Sequence, residues 1–89
     1  MNASEFEANL KRDGYLDVET KTVAANTASK PHAHEFSVRA LVLTGDVTLT
    51  SEGQSRTFRA GEVFEMQAGC VHQEQYGPAG ATSLVGRKR

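Results

Sequence analysis

The sequence predicts an all-β fold, a small antiparallel barrel or a sandwich, and two observations support that prediction. From Tyr15 onward, apolar and polar residues alternate with a period of two, in short runs rich in β-branched residues. Glycines recur between these runs, where they suit turns. Many short strands separated by glycine turns are typical of barrels and sandwiches, so we expect about six to eight strands.

A short helix is predicted in front of the strands. Ser4 and Glu7 have the spacing of a capping box, in which each side chain accepts a hydrogen bond from the backbone N–H of the other residue. Phe6 and Leu10 lie four residues apart and form one apolar stripe. Gly14 stands where a left-handed residue ends a helix. We expect residues 1–14 to pack as a helix on one barrel domain of residues 15–89.

The strands are predicted from alternation, with the glycines as breaks between them. Gly45-Asp46 is expected to close the strongest strand, Glu52-Gly53-Gln54 reads as a hairpin turn, and Gly77 and Gly80 punctuate the last strands. Residues 40–43 are apolar on both faces, which indicates that the helix or a second subunit covers them. The predicted strands span residues 15–19, 22–24, 36–44, 47–50, 56–59, 62–66, 71–76 and 82–85.

Composition narrows the classes of partner and compartment. Hydrophobic residues make up 38% of 89 residues and there is no Trp, a thin core that favours a homodimer. A net charge of −1, with a single basic cluster at residues 87–89, predicts no nucleic-acid partner. No apolar run approaches a membrane span, and one cysteine excludes an internal disulfide. We therefore expect a cytoplasmic protein with no membrane contact.

The placement of the three histidines suggests a metal site. His32 and His34 lie two apart, so on an extended segment both imidazoles project from the same face. His72 begins another predicted strand after a glycine turn. Three imidazoles from neighbouring strands form a facial site with open positions, suited to one divalent Fe, Zn, Mn, Ni or Cu ion. The alternative is that these are ordinary surface histidines with no ligand.

The spacing around these histidines resembles the two motifs of the cupin superfamily. The His-x-His pair followed by Gly45 is similar to the first motif, and Gly61, Gly69 and His72 fit the second. The resemblance covers residues 26–76 and implies a small single-domain cupin, a β-barrel or jelly roll. It also implies that His32, His34 and His72 are metal ligands.

Four positions depart from the family pattern. Asn26 replaces a glycine of the first motif, and asparagine also adopts left-handed backbone. Gln67 replaces the proline of the second motif, and Tyr76 replaces its asparagine. The glutamate ligand of the first motif falls on Val38 or Arg39, neither of which binds a metal. A three-histidine site without this carboxylate is a variant known in the family.

Residues near the histidines are candidates for a fourth ligand, a catalytic group or a substrate contact. Glu74 lies two residues after His72 and should face the same interior, as a fourth ligand, a catalytic base or a solvated rim residue. Alternation points Glu35 outward, and Cys70 is either a reactive thiolate or a buried structural thiol. Two larger sets share a role: candidate anion-binding arginines are Arg39, Arg56 and Arg59, and candidate pocket walls are Phe36, Val38 and Tyr76.

Three functions fit these features. The first is a metal-dependent enzyme, of oxygenase or isomerase type, acting on a small organic molecule, with Glu74 as its proton-transfer group. The second is a metal-containing module that binds or senses a small ligand without converting it. The third is a structural barrel whose histidines hold no metal. Fold resemblance does not rank the first two, because one fold hosts many activities.

Overall fold

The computed structural model describes residues 2–89 as one helix followed by five strands. The elements are α1 (Ala3–Arg12), β1 (Asp17–Val23), β2 (Ser37–Ser51), β3 (Gln54–Arg59), β4 (Val63–Met66) and β5 (Gln73–Lys88). All five strands pair antiparallel in one sheet, in the order β1-β5-β2-β3, with β4 also on β2. The predicted all-β antiparallel fold with a short N-terminal helix is confirmed.

The N-cap of the helix is Asn2, two residues before the predicted cap Ser4. The side-chain oxygen of Asn2 accepts from the backbone N–H of Glu5 at 2.8 Å, and Asn2 Nδ2 donates to Glu5 Oε1. The capping box predicted at Ser4 and Glu7 is therefore wrong, because Asn2 caps the helix and Ser4 lies within the first turn. The helix ends as predicted, with Gly14 at φ 87°.

The apolar stripe of α1 covers the outer face of the sheet. Phe6 and Leu10 are fully buried and pack with Tyr15, Leu41 and Leu84. The helix thus covers one side of the strand segment predicted to be apolar on both faces. Among residues 2–89, no helix is long and apolar enough to cross a membrane.

The inner face of the sheet carries the larger core. Its buried residues alternate along the strands with the outer ones, as the period of two requires. The cluster comprises Val38, Ala40, Val42, Val47, Phe58, Phe64 and Val85.

Two long strands replace four of the predicted short ones, and the expected breaks at Gly45, Gly77 and Gly80 are wrong. Gly45 and Gly80 lie where β2 and β5 cross closely, and a Cβ on Gly45 would overlap the Gly80 carbonyl oxygen. The register of β2 against β5 shifts on both sides of this point, between Val42 and Thr44 and between Gly45 and Val47. These glycines therefore permit β-bulges within continuous strands instead of ending them. The two strands predicted at residues 15–19 and 22–24 are likewise one strand, Asp17–Val23, whereas the turn at Glu52-Gly53 is confirmed.

Candidate metal centre

The segment before the first two histidines runs antiparallel to the start of β5. Asn26 donates its backbone N–H to Gly77, and His32 and His72 exchange two backbone hydrogen bonds of 2.9 Å. Asn26 adopts φ 58°, the left-handed backbone expected at the position of the family's glycine. This pairing holds His32 directly opposite His72.

The turn before His72 fixes the other side of the pair. Gly69 adopts φ 79° and donates its backbone N–H to the carbonyl of His34 at 2.8 Å. Cys70 donates its backbone N–H to Gln67 at 3.1 Å, which closes the turn. The turn therefore forms with glutamine in place of the family's proline.

The structure brings the three histidines together. One ligand atom from each of His32, His34 and His72 lies within 4.8 Å of the others. Their ring centroids are separated by 4.4 to 5.3 Å. His72 is almost completely buried, at 3% exposure.

Two backbone carbonyls set the tautomers of two of these rings. His32 Nδ1 lies 2.8 Å from the Lys30 carbonyl oxygen, and His72 Nδ1 lies 3.1 Å from that of Cys70. A carbonyl oxygen only accepts, so Nδ1 carries the hydrogen in both rings and donates it. In the neutral rings, Nε2 therefore presents a lone pair, the arrangement that orients metal-binding histidines.

Glu74 adds a carboxylate to the cluster, as its position in the strand predicted. Its Oε1 lies 3.5 Å from His72 Nε2 and 3.8 Å from His32 Nε2. Its Oε2 accepts a hydrogen bond of 2.9 Å from the Tyr76 hydroxyl. Burial and the nearby Glu74 charge raise the pKa of Tyr76, so this hydroxyl stays protonated at neutral pH.

His34 occupies the most apolar side of the cluster. Its ring stacks on Phe36 with centroids 4.7 Å apart. Burial, followed by the charges that His32 and His72 carry when protonated, lowers the pKa of His34. The neutral form, which has a free lone pair, is therefore favoured at this position.

The donor set fits a divalent cation. Among residues 2–89, one buried side-chain polar atom is left without a hydrogen-bond partner, and it is His72 Nε2. A buried polar atom without a partner is costly, and here it faces the carboxylate oxygen of Glu74. With both Nδ1 atoms of this face donating to carbonyls, a metal ion, a proton or a donating water molecule would relieve the contact between lone pairs. Three nitrogens and a nearby carboxylate suit Zn, Fe, Mn, Ni or Cu.

Val38 and Arg39, the positions of the missing family carboxylate, point to opposite faces of β2. Val38 is buried in the inner core and lines a cavity beside His34. Arg39 lies on the outer face, where it forms ion pairs of 2.6 Å with Asp13 and 2.7 Å with Glu65. Neither residue supplies a ligand, and Arg39 is excluded as an anion-binding group at the site.

Two further candidates lie outside the ligand cluster. Glu35 is exposed, as alternation predicted. Cys70 Sγ contacts Ser51 Oγ at 3.3 Å, and its carbonyl, instead of its thiol, serves the site by accepting from His72. Phe36, Val38 and Tyr76 are all walls of the site or its core, as predicted.

The sequence interpretation missed the backbone partners of the site. The carbonyls of Lys30 and Cys70 both belong to the residue two before a histidine, a spacing that gives no sequence signal of its own. The Oγ of Ser29 accepts a hydrogen bond of 2.9 Å from the backbone N–H of Glu74. The contact between Ser29 and Glu74 depends on the pairing of segments 45 residues apart in sequence.

Two hollows of very different size adjoin the cluster. An inner cavity of about 50 Å³ is lined by His34, Glu74 and Tyr76 among others. An outer groove of about 500 Å³ is lined by His72 and by inward-facing residues of β3. Of the cluster residues, His72 lines the groove, whereas His34 and Glu74 line the small cavity.

Comparison with solved structures supports the fold. A protein of unknown function from Rhizobium leguminosarum matches with a TM-score of 0.75 and 17% identity, over 80% of this chain and 67% of that one. A cupin 2 conserved barrel domain protein from Salinispora arenicola matches with a TM-score of 0.68 and 26% identity, over 81% and 61%. The polyketide cyclase RemF from Streptomyces resistomycificus matches with a TM-score of 0.66 and 24% identity, over 81% and 54%.

The chain therefore spans between about half and two thirds of the length of these three proteins. No family model and no curated protein sequence matches it.

Proposed function

We propose that this chain, which has the cupin fold, is a metal-dependent enzyme of isomerase type acting on a small organic molecule. His32, His34 and His72 would hold one divalent transition metal ion, and Glu74 would accept and return a proton beside it. The observation that carries the proposal is the buried His72 Nε2, which faces the Glu74 carboxylate with no partner among the described residues.

The roles of the chain's own residues follow from their contacts. His32 and His72 are held by backbone carbonyls, so their Nε2 atoms stay aimed at one point. His34 is kept neutral by burial against Phe36. When bound, the metal would act as a Lewis acid that polarises an oxygen of the substrate.

The different contacts of the two carboxylate oxygens of Glu74 support its role in proton transfer. Tyr76 holds Oε2 with a hydrogen bond, which fixes the orientation of the carboxylate. Oε1 remains directed at the cluster, within reach of a substrate bound there. A carboxylate so oriented would remove the C–H proton next to the carbonyl of a hydroxy aldehyde or hydroxy ketone and return it to the former carbonyl carbon, while the hydroxyl proton moves to the former carbonyl oxygen. Together the two transfers make an isomerisation. The polyketide cyclase among the similar structures is an enzyme on the same fold, which is consistent with catalysis.

The metal is tested first, because all three histidines of the chain belong to the cluster. Imidazole ¹⁵N NMR during addition of Zn²⁺ therefore reports on this site alone. We expect the Nε2 signals of the three rings to shift together, at about one metal ion per chain. His72→Ala and His34→Ala should lose the metal, whereas Glu35→Gln, which changes an exposed neighbour, should keep it. Unshifted imidazole signals in the wild type would rule the metal centre out.

Proton transfer is tested by exchange with solvent. The protein loaded with Zn²⁺, Mn²⁺ or Ni²⁺ is incubated in D₂O with hydroxy aldehydes and hydroxy ketones, and ¹H NMR follows the loss of C–H signals. We expect metal-dependent exchange that Glu74→Gln abolishes while its metal content is retained, and that Glu35→Gln leaves intact. Ligand binding without exchange would instead support the non-catalytic sensing module, and oxygen consumption by the iron-loaded protein would support an oxygenase.

A further inference from the structure

The groove beside the metal cluster contains a positive charge without a carboxylate partner. We propose that Arg56 binds the carboxylate of a small hydroxylated substrate whose carbonyl end reaches the metal cluster, so that the substrate class of the proposed isomerase is a hydroxy acid that also carries an aldehyde or ketone group. The contact at the far end of the substrate rests on the proposed metal centre. The contact with the carboxylate rests on Arg56 and the groove.

The strand register places Arg56 on the same face as Glu74. Leu49 of β2 is paired with Glu74 of β5 on one side and with Arg56 of β3 on the other. Residues paired across neighbouring strands project from the same face, and Leu49 packs on the inner core. Arg56 therefore lies on the inner face of the sheet, two strand spacings, or about 10 Å, from Glu74.

Arg56 is exposed to solvent on this face, so its guanidinium is open to a ligand from solution. Its guanidinium lies 4.6 Å from the ring centroid of Phe58, which in turn packs on Phe64. In the part of the chain that the structure describes, no carboxylate lies within 4.0 Å of Arg56. The other charged residue of the groove, Glu65, is already paired with Arg39 at 2.7 Å. A guanidinium that lies over an aromatic ring keeps its donors free for a planar carboxylate.

The structure separates Arg56 from the other two arginines of the sequence prediction. Arg39 is bound by two carboxylates on the outer face. Arg59 is exposed, and its odd position on β3 places it on the face opposite to Phe58. Arg56 alone lines the groove that reaches His72.

The sizes of the two hollows decide where the substrate lies. On this measure one water occupies about 10–15 Å³, so the inner cavity of about 50 Å³ holds only a few waters. The groove of about 500 Å³ is in the range of small-molecule sites. Its other polar lining consists of hydroxyl and amide groups, which favours a substrate with hydroxyls. These lining residues are Ser51, Gln54, Ser55 and Gln67.

The proposal is tested with acids and the alcohols that differ from them only at the carboxylate. Glycerate is compared with glycerol, and gluconate with sorbitol, by ligand-observed NMR titration of the wild type, Arg56→Gln and Arg59→Gln. Each titration is done with the Zn²⁺-loaded and the metal-free protein, and zinc content is measured afterwards to exclude chelation. We expect at least one acid to bind about 10-fold more tightly than its alcohol. Arg56→Gln should weaken that acid about 10- to 100-fold, while Arg59→Gln should not.

Several results would overturn the assignment. Equal binding of acid and alcohol, unchanged binding in an Arg56→Gln variant that keeps its melting temperature, or no saturable binding of either acid up to about 50 mM would each do so. A failed metal centre gives a different pattern: imidazole signals that do not respond to Zn²⁺, with acid binding that still depends on Arg56 in the metal-free protein.

Discussion

Two polar clusters lie on opposite faces of the same sheet, and they differ in how fully their groups are paired. On the outer face, Arg39 joins Asp13 and Glu65 through ion pairs and also lies 4.5 Å from the ring centroid of Tyr15. On the inner face, His72 Nε2 is buried without a partner among the described residues and faces Glu74. The charged groups of the outer cluster are paired within the chain. The inner cluster needs a ligand to provide a partner for His72 Nε2.

This contrast separates a structural role from a binding role. Partly exposed ion pairs add a modest amount to stability and require nothing from solution. Convergent lone pairs are unfavourable in the metal-free protein, and a bound cation turns them into an attraction. A partner-free buried atom is thus more informative about ligands than the number of charges around it.

The largest expected effect is the stabilisation of the inner cluster by metal. Binding to the folded state alone at a free concentration 100 times the dissociation constant adds about 2.7 kcal/mol to the free energy of unfolding. For a chain of this size that raises the melting temperature by about 10–20 °C. Calorimetry with and without Zn²⁺ measures the rise, which should vanish in His72→Ala and persist in Glu35→Gln. An equal rise in His72→Ala would mean that the metal binds elsewhere.

A smaller effect on stability, opposite in sign for the two residues, distinguishes the carboxylate of Glu74 from that of Glu65. In the metal-free protein at about pH 8, Glu74→Gln should raise the free energy of unfolding by up to about 1 kcal/mol, because the repulsion between Oε1 and the imidazole lone pairs is removed. Glu65→Gln should lower it by about 0.5 kcal/mol, because the ion pair with Arg39 is lost. Urea unfolding of both variants provides the comparison. Destabilisation by Glu74→Gln in the absence of metal would place Glu74 with the structural residues.

The convergence of the histidines and of Glu74 was predictable because strand parity is a local property. Residues two apart on a strand share a face, so His32 with His34, and His72 with Glu74, were correctly paired from spacing alone. The partners of Arg39 were not predictable, since Asp13 and Glu65 each lie 26 residues away in sequence. Sequence alternation places a side chain on a face but does not identify what lies opposite it.

The errors in the fold have the same origin. Glycine marks both turns and bulges, and only the crossing of β2 and β5 at Gly45 and Gly80 shows that these two belong to bulges. Asn2 and Ser4 both precede a glutamate by three residues, so the capping pattern fitted two positions. The homodimer, the cytoplasmic location and the 1–14 and 15–89 division stay predictions.

The smallest expected effect is the acid sensitivity of the outer cluster. Hydrogen bonds from Arg12 and Arg39 lower the pKa of Asp13 to about 2, from an ordinary value of 3.8. Because the folded pKa is the lower one, this contribution to stability is present above pH 3.8 and is lost as the pH falls towards 2. Urea unfolding between about pH 6 and pH 2 should therefore show a difference between wild type and Asp13→Asn that shrinks over that interval. A difference between wild type and Asp13→Asn that stays constant down to pH 2 would show that the Arg39 cluster does not hold the helix through its charge.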